Sequence, residues 1–259
     1  MGTIIETKNL KKAYGSRGTS YVALDGIDLK VEEGEFLGIM GPSGAGKTTL
    51  LNIISTIDTP TSGNYFFEGQ DMNRIKGKAL ANFRKNKIGF IFQDFNLLDT
   101  MSVQDNIALP LALRKVNHKE IIKKVDEMAD FLGIKAQLNK YPYQLSGGQR
   151  QRTAAARALM TSPSVIFADE PTGALDSKSS AELLQCLINM NEKYKTTIIM
   201  VTHDAFAASY CKRIMFIKDG KIHAKLDKNQ ERKEFFHRIM DMISSMNNGV
   251  DTYSQKEEL

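Results

Sequence analysis

The stretch FLGIMGPSGAGKTTL, Phe36 to Leu50, decides the fold that this sequence predicts. Its first part, Phe36–Met40, is an almost continuous apolar run, which is typical of a strand buried on both faces of a sheet. The run leads into GPSGAGKT, which fits the pattern G-x-x-x-x-G-K-[ST] of a phosphate-binding loop. The apolar residues of TLLNIISTI favour a buried helix after the loop. Strand, glycine loop and helix in this order predict an α/β fold built around an anion site.

The glycine loop predicts a site for the phosphates of a nucleotide with Mg²⁺. Its glycines let backbone N–H groups turn inward around an anion, and the following helix adds the positive end of its dipole. Lys47 is the side chain expected to reach the β- and γ-phosphates, and the Thr48 hydroxyl is the candidate Mg²⁺ ligand. The candidate nucleotide-binding residues of this loop are Gly41, Ser43, Gly44, Ala45, Gly46, Lys47, Thr48 and Thr49.

The stretch VIFADE, which ends at Glu170, supplies two acids at the end of a second apolar strand. Enzymes with parallel sheets place reactive groups at this end of their strands. We expect Asp169 to hold Mg²⁺, directly or through water, and Glu170 to polarise the attacking water. An apolar strand that ends in two acids is weak evidence alone and good evidence beside a phosphate-binding loop.

The stretch LSGGQ, Leu145 to Gln149, forms a second glycine-rich entry to a helix, far from the first. A hydroxyl and two glycines at a helix N-terminus make another anion site. Since one nucleotide needs one phosphate cradle, the second cradle is expected to serve the nucleotide of another copy of the chain. Two copies packed head to tail would then bury two ATP molecules between them. The residues assigned to this second cradle are Ser146, Gly147, Gly148 and Gln149.

These motifs in this order resemble the nucleotide-binding domain of ABC transporters, from about Ile4 to Leu226. The resemblance implies an α/β P-loop NTPase with a mixed-sheet core, an antiparallel β subdomain and a helical subdomain at about 95–160. The implied domain is 1–226, followed by a C-terminal helical extension at 227–259. The implied activity is ATP hydrolysis with ATP and Mg²⁺ as cofactors.

The resemblance also assigns roles to four residues that would usually be structural if they were considered singly. It implies that Tyr14 stacks on adenine and that Gln93 contacts Mg²⁺ and senses a membrane partner. It implies that Asp176, in TGALD, belongs to the D-loop and that His203 lies near the γ-phosphate. The expected catalytic residues are therefore Glu170, His203 and Gln93, and the expected metal ligands are Thr48, Gln93 and Asp169.

Within the family, ADEPTGALDSKS resembles the group of macrolide exporters, lipoprotein-releasing ATPases and the cell-division ATPase. The stretches FIFQDFNLLDTMSVQDNIALPL and IIMVTHDAFAASYCKRIMFIKDG, with the helical tail, look closest to the ATP-binding subunits of bacitracin-type antimicrobial-peptide resistance transporters. That resemblance implies a homodimer at the cytoplasmic face of the membrane, bound peripherally to a separate integral-membrane permease. It also implies a sensor histidine kinase reached through the permease. A lipoprotein-release or cell-division ATPase, and a soluble ABC ATPase for DNA repair or translation, remain alternatives.

The composition agrees with a globular protein that has a mixed charged surface. The net charge is +5 and the pI about 9.0, but the basic residues are scattered among acidic ones. No nucleic-acid partner is therefore expected. There is no apolar run of eighteen residues and no secretory signal, so neither a spanning helix nor a leader is expected. Cys186 and Cys211 lack metal or redox spacing and are expected to be reduced structural thiols.

Several other elements follow from the pattern of apolar residues. Alternation at Ile27, Leu29 and Val31 predicts a half-buried antiparallel strand, and Asp219-Gly220 predicts a hairpin turn. In HKEIIKKVDEMADFLG, helical spacing places on one face Ile121, Val125, Met128 and Leu132. In ERKEFFHRIMDMISSM, it places on one face Phe236, Ile239/Met240, Ile243 and Met246, a face expected to dock on its own domain.

Overall fold

Two β-sheets form the framework of the computed structural model, which describes residues 2–15 and 20–248. A four-stranded antiparallel sheet has the order β2-β1-β4-β5, and a six-stranded mixed sheet has the order β10-β9-β3-β8-β7-β6. The strands are β1 Thr3–Tyr14, β2 Tyr21–Glu32, β3 Phe36–Met40, β4 Ser62–Phe67, β5 Gln70–Asp71, β6 Ile88–Ile91, β7 Val165–Asp169, β8 Thr197–Val201, β9 Arg213–Lys218 and β10 Lys221–Asp227.

The six-stranded sheet brings the ends of the strands that carry chemistry to one edge. Strand β3 is parallel to both β8 and β9, and β7 is parallel to β8. In this register Ile39 pairs with Val201, and Val201 pairs with Asp169. The residues that follow β3, β7 and β8 therefore emerge side by side. The mixed core and the antiparallel subdomain predicted from the sequence are both confirmed.

The core lies on both faces of the six-stranded sheet because alternate residues of each strand point to opposite sides. In β3, Phe36 and Met40 pack among the helices, whereas Leu37 and Ile39 pack against the antiparallel sheet and the first helix. All five residues of β3 and of β8 are buried, as expected for central strands of a parallel sheet. The hairpin at Asp219 and Gly220 has φ values of 50° and 73°, the positive values that a type I′ turn requires.

The described ranges also contain eight α-helices, which are α1 Lys47–Ile54, α2 Gly77–Lys87, α3 Val103–Ala112, α4 His118–Phe131, α5 Gly147–Leu159, α6 Ser177–Tyr194, α7 Ala205–Ala208 and α8 Arg232–Asn248. Helices α3 to α5 lie between β6 and β7, within the stretch predicted to be helical. The short helix α2 has no buried residue, and the sequence analysis did not predict it. None of these helices is both long and apolar enough to span a membrane.

Helix α8 docks on its own domain, and the predicted apolar face is correct in part: Ile239 and Met246 are buried, but the prediction missed Phe235 and Met242. The residues of α8 most deeply buried in the helical side of the core are Phe235, Ile239, Met242 and Met246. Phe236 and Ile243 are only half-buried, and Met240 is 42% exposed. The buried residues follow i, i+4, i+7 and i+11, which is an equally good helical stripe, so spacing alone did not choose between neighbouring faces. The predicted extension after residue 248 lies outside the described residues.

Of the other sequence expectations, the buried alternation at Ile27, Leu29 and Val31 is confirmed. Along α4 and at its C-cap Leu132, the buried residues are Ile121, Val125, Ala129 and Leu132, whereas Met128 is half-buried. Both cysteines are free: Cys211 is fully buried and Cys186 is half-buried. Burial raises the pKa of each thiol.

Candidate functional site

The predicted phosphate-binding loop forms a tight turn between β3 and α1. Gly41, Gly44 and Gly46 have φ values of 152°, 77° and 100°, which side-chain-bearing residues rarely adopt. A Cβ at Gly41 would lie 2.1 Å from the carbonyl oxygen of Ile217, and one at Gly46 would lie 2.4 Å from that of Ala23. The loop is therefore pressed between the two sheets, and only glycine fits at these two positions.

Lys47 is the residue at which the loop passes into α1, and it is almost fully buried. Its ammonium group donates to the carbonyl oxygens of Gly41 at 2.9 Å and Pro42 at 2.8 Å. Burial lowers the pKa of Lys47, and the nearby carboxylates of Glu170 and Asp169 oppose that change. A buried cation that donates to neutral carbonyls is well placed to exchange them for an incoming anion.

The loop borders a cavity of about 580 Å³ at the carboxyl edge of the six-stranded sheet. Tyr14 and Tyr21 line the cavity from the antiparallel sheet, and Glu170 and His203 line it from the ends of β7 and β8. The last turns of α8 also reach the cavity. Such a volume suits a nucleotide-sized ligand.

Two tyrosines give the cavity an aromatic side. The hydroxyl of Tyr14 donates to Asp58 at 2.9 Å, and the Lys12 ammonium lies 4.8 Å from the centre of the Tyr14 ring. Partial burial and the hydrogen bond to Asp58 raise the pKa of Tyr14. Tyr21, which the sequence analysis did not identify, donates its hydroxyl to the carbonyl oxygen of Gly44 at 3.0 Å. Tyr14 is 42% exposed, and the part of its ring that Lys12 does not cover is open to a stacked base.

Asp169 carries an unsatisfied oxygen of the kind that a cation would satisfy. Its Oδ1 atom is buried and makes no hydrogen bond. Burial, followed by the neighbouring charge of Glu170, raises the pKa of Asp169, and Lys47 acts in the opposite direction. The described parts of the chain hold no cluster of three or more His, Cys, Asp or Glu side chains suited to a metal. Mg²⁺ needs only one or two carboxylates when hydroxyl groups and substrate phosphates complete its shell, so Asp169 fits this ion.

Glu170 and His203 meet across the ends of β7 and β8. Oε1 of Glu170 lies 2.8 Å from Nδ1 of His203, and Oε2 lies 3.4 Å from the backbone nitrogen of His203. Glu170 has a φ of 45°, and its N–H donates to the carbonyl oxygen of Val201 at 2.9 Å. Left-handed backbone in a non-glycine residue is uncommon and is found at functional sites.

Gln93 lies near the segment that follows Glu170 and does not line the cavity. A Cβ added to Gly173 would lie 3.1 Å from the Nε2 atom of Gln93. A second glutamine, Gln151 of α5, ties the two segments together and was not identified from the sequence. Its fully buried Nε2 donates to the carbonyl oxygens of Phe92 at 3.0 Å and Pro171 at 2.9 Å. The only signal in the sequence was a polar residue inside an alanine-rich helix.

Ser146 to Gln149 form a separate group at the start of α5. Ser146 and Gln149 make a capping box, in which each side chain bonds the backbone nitrogen of the other residue. A Cβ at Gly148 would lie 2.9 Å from Oγ of Ser179, whose N–H and hydroxyl both donate to Asp176. Ser146 to Gln149 and Asp176 thus lie together, and none of them lines the cavity of their own chain.

Comparison with known proteins places this chain among close relatives. A family model described as "ABC transporter" matches residues 24–173. Bacitracin export ATP-binding protein BceA of Halalkalibacterium halodurans is 53% identical over 92% of this chain and 94% of its own length. A macrolide export ATP-binding/permease protein, MacB of Syntrophobacter fumaroxidans, is 44% identical over 85% of this chain but only 31% of its own length.

A solved structure has the same fold. The ATP-binding cassette MJ0796, described as a dimer in a post-hydrolysis state bound to ADP and Pi, superposes with a TM-score of 0.81 at 38% identity. The superposition covers 88% of this chain and all of the cassette.

Proposed function

This chain belongs to the ABC transporter family of ATP-binding proteins, and on that premise we propose that it powers a membrane permease for resistance to antimicrobial peptides of the bacitracin type. It is an ATP hydrolase that binds nucleotide and dimerises, as cassettes of this family do. The observation that carries the proposal is the meeting of Glu170, His203 and the Lys47 loop at one cavity, in a chain 53% identical to a bacitracin export ATP-binding protein.

In the proposed ATP complex the adenine stacks on Tyr14 and the phosphates enter the loop from Gly41 to Thr49. The phosphates replace loop carbonyls as partners of the Lys47 ammonium, because a charge-assisted hydrogen bond is stronger than one to a neutral carbonyl. Thr48, Asp169 and Gln93 would hold Mg²⁺, which neutralises charge on the phosphates when bound. The unpaired Oδ1 of Asp169 supports this assignment.

Hydrolysis in this proposal depends on the pair Glu170 and His203. The carboxylate of Glu170 orients and polarises the attacking water, and His203 fixes the direction of that carboxylate. The left-handed backbone at Glu170 turns its side chain back toward β8, where His203 begins the next loop. Both residues line the cavity beside the phosphate-binding loop, which is where the terminal phosphate would lie.

The second copy is proposed to complete each site with its own Ser146, Gly147, Gly148, Gln149 and Asp176. These residues lie together but do not line the cavity of their own chain, which supports a role on the partner's nucleotide. The N-terminus of α5 offers unpaired backbone N–H groups and a positive dipole end to the anion. ATP would therefore hold the dimer together, and hydrolysis would release it.

The permease is proposed to dock on the segment from Phe95 to Leu98, beside Gln93. Phe95 and Asn96 have φ values of 63° and 46°, and Leu98 is 42% exposed. Arg157 of α5 donates to the carbonyl oxygens of Asn96 at 2.6 Å and Phe95 at 3.0 Å. A force on this segment would reach α5 through Arg157, and α5 begins at Ser146. The contact would place the protein peripherally on the cytoplasmic face of the membrane.

Two further parts of the proposal rest on the resemblance of the sequence. We propose a sensor histidine kinase as an indirect partner through the permease. We also propose the division into a nucleotide-binding domain at 1–226, with its helical subdomain at about 95–160, and an extension at 227–259. No nucleic-acid partner is proposed.

The test is to complement a strain that lacks this gene and to measure its growth in bacitracin and in a macrolide. The wild-type gene should restore growth in bacitracin but not in the macrolide. The Glu170→Gln variant should not restore growth in bacitracin. In parallel, Glu170→Gln with Mg-ATP would be used to pull down partners from native membranes. A large permease supports the proposal, whereas a four-span permease with macrolide protection would favour the macrolide, lipoprotein-release or cell-division branch. Recovery of no membrane protein would indicate a soluble ATPase.

A further inference from the structure

Helix α8 reaches the nucleotide cavity, although it lies well beyond the residues matched by the family model. Ile243 and Met246 line the same cavity as Lys47 and His203. Ile243 is half-buried and Met246 is 6% exposed, so Ile243 presents the more accessible surface. Met40 and Phe216 line the wall with them, and this makes one side of the cavity apolar.

The helix is fixed firmly to the domain along its length. Phe235 and Ile239 are fully buried in the helical side of the core. At its start, the Arg232 guanidinium lies 4.6 Å from the ring centre of Tyr210 and 5.4 Å from that of Phe206. At its end, the Lys218 ammonium donates to the carbonyl oxygen of Met246 at 2.9 Å. A cation at the C-terminal end of a helix also interacts favourably with the negative end of the helix dipole.

These contacts connect α8 to both segments that border the phosphate end of the cavity. Phe206 belongs to α7, which begins two residues after His203 and is capped by Asp204. Lys218 ends β9, and the carbonyl oxygen of Ile217, one residue earlier, lies against Gly41 of the phosphate-binding loop. Helix α8 therefore contacts the element after His203 and the strand that supports Gly41.

We propose that Ile243 and Met246 form an apolar wall of the nucleotide site, on a helix that also packs against α7 and the end of β9. The wall contacts bound nucleotide and excludes water from that side of the cavity. It acts on the ground state and the transition state alike, so its loss weakens binding more than turnover. This inference rests on the proposed nucleotide site and adds to it an element outside the family motifs.

The test compares Ile243→Ala with Met240→Ala, since Met240 is on the exposed side of the same helix. Binding of a fluorescent ATP analogue, KM and kcat for ATP, and the melting temperature without nucleotide would be measured for both. We expect Ile243→Ala to raise Kd and KM by about tenfold, the order of effect of a lost aliphatic contact in an apolar pocket. Its kcat and melting temperature should stay close to wild type. Ile243→Leu should restore binding, and Met240→Ala should match wild type throughout.

Three results would overturn the inference. Equal binding by the Ile243→Ala and Met240→Ala variants would show that the wall does not contact the nucleotide. If the melting temperature of Ile243→Ala fell enough to explain the whole loss of binding, α8 would support the fold without contacting the nucleotide. Failure of the wild-type protein itself to bind the analogue would instead refute the nucleotide site on which the inference rests.

Discussion

The Oε1 atom of Glu170 and the Nδ1 atom of His203 lie 2.8 Å apart, although 33 residues separate them in the chain. This contact engages one ring nitrogen of His203 and leaves Nε2 as its second hydrogen-bonding position. The His203 side chain is 72% exposed and that of Glu170 17% exposed. The geometry thus directs toward the cavity an exposed imidazole that is anchored through Nδ1 to Glu170.

Replacing Glu170 by Gln should abolish turnover while leaving nucleotide binding intact. The amide keeps the size of the side chain but is not a base, so kcat should fall by about a hundredfold or more. Phosphate release measures turnover, and size-exclusion chromatography with ATP should show a persistent dimer. Glu127→Gln, at an exposed position of α4, is the control and should hydrolyse ATP normally. Unchanged steady-state hydrolysis in Glu170→Gln would refute the role of this residue.

Asp169→Asn should stabilise the nucleotide-free protein at neutral pH and remove its response to Mg²⁺. Burial raises the pKa of Asp169, so ionisation of this carboxyl destabilises the folded state. That cost is absent below the ordinary pKa of an aspartate, grows as the pH rises from that value to the raised pKa, and is constant above it. In a chelating buffer the variant should therefore melt higher than wild type at pH 7 and converge with it in acid. A lower melting temperature for the variant at pH 7 would contradict this.

Ser146→Ala and Ser102→Ala form a matched pair, because both serines belong to a capping box at a helix start. Each substitution should cost about 1 kcal/mol of stability through the lost cap. Only Ser146→Ala should also abolish ATP-dependent dimerisation, since Ser146 is proposed to face the partner's nucleotide. Light scattering with the non-hydrolysing Glu170→Gln background would measure the dimer. Equal dimerisation of both variants would place the second cradle elsewhere.

Gln151→Leu should damage turnover as well as stability. The Gln151 amide donates to the carbonyl oxygens of Phe92, which precedes Gln93, and of Pro171, which follows Glu170. The substitution therefore removes a hydrogen-bond donor that supports the Gln93 segment and the Glu170 segment together. A buried carbonyl at Pro171 and a partly buried one at Phe92 would lose their partner, at about 1–3 kcal/mol for the buried one in unfolding free energy. We expect kcat to fall by about tenfold, as small misplacements of catalytic groups do. Gln185→Leu, on the exposed side of α6, is the control; a Gln151→Leu variant with normal kcat would limit this residue to the fold.

The strands and the phosphate-binding loop could be predicted because their signals are local. Phe36–Met40 is apolar throughout, and Gly41 to Thr48 carries its own pattern, so neither depends on distant contacts. The residues that sequence analysis missed act through the fold. Tyr21 reaches the carbonyl oxygen of Gly44, 23 residues away in the chain, and Gln151 bridges two loops. The short distance between Glu170 and His203 likewise comes from the pairing of β7 with β8.

The polar helix α2 and the face of α8 show where periodicity gives too little information. Helix α2 has no fully buried residue and packs only Leu80 and Phe83 against the core, which is too short an apolar stripe to recognise. Helix α8 has apolar residues on two adjoining stripes, and packing against α7 selects the stripe of Phe235 and Met242 over that of Met240. The proposed roles of the individual site residues stay predictions until the variants above are measured.

The two native cysteines are expected to react little with thiol-directed reagents. Cys211 is fully buried, Cys186 is half-buried, and burial raises the pKa of both, so neither forms the reactive thiolate readily. A cysteine introduced at the exposed Ser244, next to Ile243, would be labelled in preference to them. A dye at that position would sit on the outer surface of α8, one residue from the cavity wall. The C-terminal helix thus offers a place for an optical reporter of nucleotide occupancy that leaves every family motif untouched.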